Sequence, residues 1–377
     1  MSAAAPVGDD IAARLLHWSR DTGALPAGGW ELGPLGASSA GYSNLTLMGE
    51  LRGVGATAGR TLPFVLRLQP PGESIYPDHD VPRQHRVLRA LHAAGLPVPR
   101  VLGAEDGDAA LGAPFFIMER IEGQVPNENP LYHLEGWLHD LPVAARRAAW
   151  LEGIRAVARL ARLDWRAAGL GFLAPGGASA DGVTADDARE PLERQLDRYA
   201  AAIGWAERRA GREYPLLRAA EPWLRANRPV GAPVAFSWGD AKLGNCLYRD
   251  GRLVAMLDFE QATLTHPVDD LAWWLMLDDS LSRGYGVPRL EGLPSRAESV
   301  AAWEAESGLV ARDLGYLEVF AAWRMAFVMA RIASLFRARG WIPADSDMDV
   351  RNGGAALLAA HGARLGFAAA DVPRAGG

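Results

Sequence analysis

The chain has 377 residues, with 39 basic and 45 acidic side chains and a formal net charge of −6. Hydrophobic residues make up 49% and charged residues 22%, an ordinary globular composition at a length that suggests two structural units. A mildly acidic chain without a long basic run argues against a nucleic-acid partner, and no apolar run reaches the roughly 18 residues of a membrane span.

The first ten residues lack the basic region and apolar segment of a secretory signal, so a cytoplasmic protein with no membrane partner is expected. Cys246 is the only cysteine, which excludes an intrachain disulfide and a Cys-rich metal site. Of the 39 basic residues 38 are arginine, so any chemistry that needs a lysine falls to Lys242.

In chain order, Asp9 to Arg20 reads as an amphipathic helix, with Ile11, Leu15 and Trp18 on one face. A Gly/Pro-rich stretch follows from Gly23 to Gly36, and a small-residue loop from Gly36 runs into a strand pattern near Leu47. Thr61 to Leu68 reads as a second strand, stopped by Pro70-Pro71-Gly72. Pro82 to Ala94 reads as a helix closed by Gly95, and Ala113 to Arg120 as a further strand. Beyond Gly123 helical periodicity dominates, at 144–163, 192–209, 270–280, 299–307 and 313–338. The Gly/Ala/Asp-rich stretch 169–188 reads as a surface loop.

The helical part is interrupted at 235–260 by short strands, and this segment carries the most chemistry. Asp240 and Asn245 stand five residues apart in a loop after a strand at 234–236. Asp250-Gly251 marks a tight hairpin turn between runs 246–248 and 253–257. That hairpin would fold Asp258 back toward Asn245 and Asp240. Two carboxylates and an amide oxygen on one small volume suit a hard divalent cation such as Mg²⁺, whose shell is completed by water and phosphate oxygens. A carboxylate not spent on the metal can take the proton of an attacking hydroxyl.

The pattern Trp238-Gly-Asp240-x-x-x-x-Asn245, then Leu257-Asp-Phe-Glu260, then Asp270-Leu-Ala272 resembles the aminoglycoside phosphotransferase/choline kinase-like family. Gly41-Tyr-Ser-Asn-Leu-Thr46 is similar to that family's nucleotide loop, and Pro114 to Gly123 to its interlobe strand. The chain looks most like the branch with Trp-Gly-Asp in place of His-Gly-Asp, which includes kinase-like domains fused to acyl-CoA dehydrogenases. The resemblance implies an α+β, bilobal, protein-kinase-like fold. A small β-rich lobe (1–119) would bind nucleotide, and a larger, mainly helical lobe (120–377) would carry the catalytic loop and acceptor site.

It implies a small-molecule kinase that uses ATP and Mg²⁺. Asp240 would be the base, Lys242 would meet the transferring phosphate, and Asn245 and Asp258 would hold the metal. Asp270 would brace the catalytic loop. Ser43, Asn44, Arg67, Gln84, Glu119 and Ile121 would contact the nucleotide. Arg67 stands where such enzymes carry a lysine, and Gln84 where they carry its glutamate partner. Those two departures leave open a nucleotide-binding pseudokinase, and the same carboxylates could serve a metal-dependent hydrolase. The acceptor could be an aminoglycoside, a hydroxyacyl thioester or another alcohol. Asp278-Asp279 is a carboxylate pair that a cationic sugar would want, whereas Arg198, Tyr199, Trp273 and Trp274 suggest a more apolar wall with some basic character.

Overall fold

The computed structural model describes residues 9–24, 28–37, 45–69, 74–77, 80–174 and 191–367. Contacts divide the chain into two compact units, one formed by residues 1–74 with 78–122 and one by 75–77 with 123–377.

The first unit is built on an antiparallel sheet. Its strands are β1 (Gly29–Leu32), β2 (Gly36–Ala37), β3 (Leu45–Val54), β4 (Thr61–Leu68), β5 (Val101–Glu105) and β6 (Phe115–Glu119). The order is β1-β3-β4-β6-β5, with β2 also on β3. Alternation along β4 buries Phe64, Leu66 and Leu68 with Leu47, Leu51, Phe115 and Ile117, and Leu15 and Trp18 of α1 (Asp9–Thr22) join that cluster. Arg67 therefore points to the other face, opposite Phe116 in the register. Phe116 lies 6.2 Å from the His85 ring of α2 (Val81–Ala93), so α2 covers the Arg67 face. Asp80 caps α2 by accepting from Arg83 N–H at 2.8 Å, and Gln84 is buried on its inner side.

The sequence reading differs here. β1 lies within the stretch read as Gly/Pro-rich loop, and β5 was not expected. Both are short and draw their stability from pairing with a neighbour, β1 with β3 and β5 with β6.

The second unit is mainly helical, with α3 (Trp137–Asp140), α4 (Val143–Ala161), α5 (Pro191–Ala210) and α6 (Pro215–Ala226) before the short strands. These are β7 (Ala235–Ser237), β8 (Cys246–Arg249), β9 (Arg252–Met256) and β10 (Thr263–Thr265), followed by α7 (Asp269–Leu281), α8 (Arg296–Ser307), α9 (Leu314–Ala338) and α10 (Gly353–Leu365). β7 pairs with β10, and β8 with β9. The hairpin turn is the expected Asp250-Gly251, with φ of 52° and 74°. α6 and α10 escaped the sequence reading: α6 holds Pro215 and Pro222, and α10 is an Ala/Gly-rich helix buried on several sides, so its polar contrast is weak.

α9 is the one described helix long and apolar enough to cross a bilayer, a length the apolar-run argument did not anticipate, yet 72% of its apolar window is buried inside the protein. Its fully buried Arg324 and Arg331 also mark it as a core helix. α7 is buried on nearly every side, and its Trp274 meets Trp150 of α4 edge-on at 5.5 Å. This buried helix carries Asp270 and Trp273 to the loop at 238–245.

Candidate active site

β7 ends in Ser237, and the chain then turns sharply through Trp238 and Gly239 to present Asp240. Gly239 has φ of 84°, and a Cβ there would lie 2.2 Å from the Gln261 carbonyl oxygen, so the turn requires glycine. The Trp238 ring is fully buried and stacks on Phe259 at 5.3 Å. Its indole N–H reaches the carbonyls of Leu257 (2.8 Å) and Asp258 (3.1 Å). The aromatic residue at this position thus ties the Asp240 loop to the backbone that presents Asp258. Asp258 adopts φ of 60°, a left-handed conformation that Asp tolerates better than most residues and that concentrates at functional sites.

The Asp240 carboxylate is held from two sides. Trp273 Nε1 donates to Oδ1 at 3.0 Å, and Asn245 Nδ2 donates to Oδ2 at 2.9 Å. Asn245 Nδ2 also donates to the Asp240 carbonyl at 2.9 Å. Those two acceptors fix the amide orientation and leave its oxygen as the acceptor end. The Asp240 side chain stays 25% exposed, so a hydroxyl can reach it. Lys242 Nζ lies 3.0 Å from Glu128 Oε2 and 3.6 Å from Asp240 Oδ2. Burial alone would lower the Lys242 ammonium's proton affinity, but Asp240, Glu128 and Asp258 together outweigh it and push the group upward, so it stays charged.

Asp240, Lys242 and Asn245 therefore come together within one turn, and Asp258 is near enough for its charge to act on Lys242. An amide oxygen and a carboxylate, completed by water and phosphate, suit Mg²⁺ rather than a soft metal. No group of three His, Cys, Asp or Glu side chains that could hold a metal occurs among the described residues.

Arg67, Gln84, Glu119 and Ile121 lie in the first unit. The Glu119 carboxylate accepts from Arg100 N–H at 3.0 Å, so it is engaged within the sheet. Ser43 and Asn44 lie outside the described residues. Asp278 and Asp279 do not form an open carboxylate pair. Asp278 is buried under the Tyr132 hydroxyl (2.8 Å) and Arg289 (2.6 Å), and Asp279 pairs with Arg283 at 2.7 Å. Cys246 is buried, and burial pushes its thiol up to about 12 against the effect of a hydrogen bond with Tyr248. It is inert at neutral pH.

Trp238, Trp273 and Glu128 take part in ways that sequence reasoning missed. The two indole N–H groups and the Glu128 carboxylate reach across 19 to 114 residues of sequence, and no local spacing signals such contacts.

Asp270 braces the turn from below. It accepts from Ser237 Oγ (2.8 Å), Trp238 N–H (2.7 Å) and Gly239 N–H (2.9 Å). Burial, and then the neighbouring Asp269 charge, push its carboxyl up to about 6, while the three donors pull it back. This gives a pH dependence with two signs. The folded value lies above that of an unfolded Asp, so the stability linked to this proton is present at low pH and is lost as pH rises through about 6. Activity follows the opposite course, because only the carboxylate accepts from both backbone N–H groups. We expect kcat to fall below pH 6, about tenfold per pH unit, and the profile of Asp270→Asn to be low and flat there. A wild-type kcat level from pH 5 to 7 would show that protonation of Asp270 does not govern turnover.

A strand, a tight Trp-Gly-Asp turn, an Asn five residues on and a hairpin leading to a second Asp, in an α+β protein-kinase-like fold, define the kinase-like phosphotransferase class. The pattern of the Phosphotransferase enzyme family (APH) matches residues 39–309, and the chain belongs to that family. It is 24% identical over 266 residues to acyl-CoA dehydrogenase family member 11 of Rattus norvegicus, covering 65% of this chain and 30% of that protein. The chain thus spans about a third of the length of the curated relatives it matches. A Ralstonia eutropha JMP134 protein assigned as an aminoglycoside phosphotransferase superposes with a TM-score of 0.66 at 22% identity, over 94% of this chain and 96% of the other. The ADP-bound aminoglycoside phosphotransferase APH(2'')-Ib gives 0.51 at 13% identity, over 92% of this chain and 96% of the other. These structural likenesses establish the fold.

Proposed function

We propose that the protein transfers the γ-phosphoryl group of ATP to a hydroxyl of a small molecule, with Asp240 as the base. The observation that carries this reading is the Asp240 carboxylate itself, oriented by the Trp273 indole and the Asn245 amide and still open to solvent. Such a carboxylate can align an acceptor hydroxyl and receive its proton as the oxygen attacks phosphorus. Lys242 then offers a fixed positive charge beside the developing negative charge. Asn245 and Asp258 would hold Mg²⁺, which when bound neutralises phosphate charge. Arg67, Gln84, Glu119 and Ile121, with Ser43 and Asn44, are the proposed nucleotide contacts. The ADP held by APH(2'')-Ib supports an adenine nucleotide.

The acceptor is a small alcohol. Tyr76 is half-buried and close enough to Asp240 and Glu260 that both charges raise its phenol further, after burial and Tyr199. The Arg198 guanidinium lies over the Tyr76 and Tyr199 rings, at 6.0 and 5.8 Å. With Asp278 and Asp279 already paired, these aromatic and basic surroundings support an alcohol with an apolar or anionic body better than a polycationic aminosugar. Kinetic screening with ATP, Mg²⁺ and a panel of aminoglycosides, hydroxyacyl thioesters and simple alcohols tests this. ADP release with a product heavier by one phosphoryl group is the expected result. Nucleotide binding without transfer to any panel member would favour the pseudokinase that Arg67 and Gln84 suggest, and turnover without nucleotide would favour a hydrolase.

A further inference from the structure

We propose that Glu128 is a positioning residue for phosphoryl transfer, holding the Lys242 ammonium beside Asp240 without letting it close on the base. The inference rests on the reading of Lys242 as the group that meets the transferring phosphate. Three observations converge on Glu128.

The first is the pairing. Lys242 Nζ makes its short contact to Glu128 Oε2 at 3.0 Å, and the distance to Asp240 Oδ2 is longer, at 3.6 Å. The ammonium has three donors and no acceptor, so it moves to whichever carboxylate is nearer and unopposed. Asp240 already accepts one hydrogen bond on each oxygen, from Trp273 and Asn245. A direct third donor on the carboxylate, the second on Oδ2, would crowd the lone pairs that an acceptor hydroxyl needs. Released from Glu128, Lys242 is left beside the Asp240 and Asp258 charges, and the geometry favours closing the gap to Oδ2.

The second is the other carboxylate oxygen. Glu128 Oε1 is buried and has no hydrogen-bond partner among the described residues. The side chain as a whole is 32% exposed, so it is this one oxygen, buried and without a donor, that calls for an explanation.

The third is the space that receives it. Glu128 lies against Gly244, in the 3-10 turn Leu243–Asn245. A Cβ at 244 would stand 2.5 Å from Glu128 Oε1 and 2.9 Å from its Cδ. The same short loop thus supplies the partner, Lys242, and the vacant side-chain space that lets Glu128 approach it. This is the arrangement of a carboxylate seated on the catalytic loop to control one side chain, not of a surface ion pair.

A double-mutant cycle tests it, read as ADP release from ATP and Mg²⁺ with water as acceptor. Glu128→Gln should lower kcat about tenfold and leave the KM for ATP within about twofold. In a Lys242→Met background the same substitution should change kcat by less than about twofold, because its effect runs through the lysine. Glu128→Asp, which keeps the charge, should retain more activity than Glu128→Gln, and it serves as the test variant if the Gln protein fails to fold. Equal losses in both backgrounds would overturn the proposal, since a merely structural role persists without Lys242. An unchanged kcat in Glu128→Gln would overturn it too. If Lys242→Met alone turns over at the wild-type rate, the reading of Lys242 fails, an outcome distinct from both.

Discussion

Asp240→Ala is expected to lower kcat by about 10²–10⁴-fold, the usual contribution of a positioned general base. ATP affinity should change by less than about twofold, because the carboxylate acts on the acceptor hydroxyl and not on the nucleotide. Alanine is the cleaner variant. In Asp240→Asn the new amide group must face either Trp273 Nε1 or Asn245 Nδ2, and both are donors. One orienting hydrogen bond would become a donor–donor contact, and the loop would shift for reasons unrelated to proton transfer. Comparable losses in the two variants point to the missing base. A loss confined to Asn points to the broken hydrogen bond instead. Steady-state ADP release gives kcat, and calorimetric titration with ATP and Mg²⁺ gives the affinity. Turnover by Asp240→Ala within about tenfold of wild type would remove the residue from the role given to it.

The parts of this site that could be read from the sequence are those set by local geometry. Asp250-Gly251 specifies its own hairpin because left-handed φ values at both positions suit few other residue pairs. The four residues between Asp240 and Asn245 suffice for the amide to return to the carboxylate through one 3-10 turn. The helices with strong apolar periodicity were legible for the same reason. What escaped depends on partners distant in sequence. Trp273 was legible as an aromatic wall, but that its N–H orients Asp240 follows only from the packing of α7. Glu128 sits in an irregular stretch after Gly123, and nothing local marks it as the partner of the only lysine. The unexpected elements follow the same logic: β1 needs β3, and α10 is shaped by burial among α7 and α9 rather than by an amphipathic pattern.

The positions of Asp270 and Trp273 both depend on α7, and α7 is anchored at its first residue by a buried ion pair. Arg324 of α9 reaches Asp269 with two parallel hydrogen bonds, NH1 to Oδ2 at 3.1 Å and NH2 to Oδ1 at 3.0 Å. Asp269 is fully buried and Arg324 is 1% exposed. The guanidinium also lies over the Phe320 and Trp273 rings at 4.7 and 4.9 Å, and its Nε has no hydrogen-bond partner among the described residues. The carboxylate is thus the arginine's main compensation. Asp269→Ala should lower the unfolding free energy by about 3–5 kcal/mol, since it leaves a buried guanidinium without its counter-charge. The pair itself is a different quantity. Replacing both members with apolar residues, as Asp269→Leu with Arg324→Met, should recover most of that loss, because the desolvation cost of both charges disappears with them. Urea midpoints of the wild type, the single variant and the double variant measure this. Equal losses in the single and double variants would mean that the specific geometry of the pair, not the stranded charge, holds α7 in place. In that case Asp270 and Trp273 would lose their positions in both proteins, and kcat would fall with stability in each.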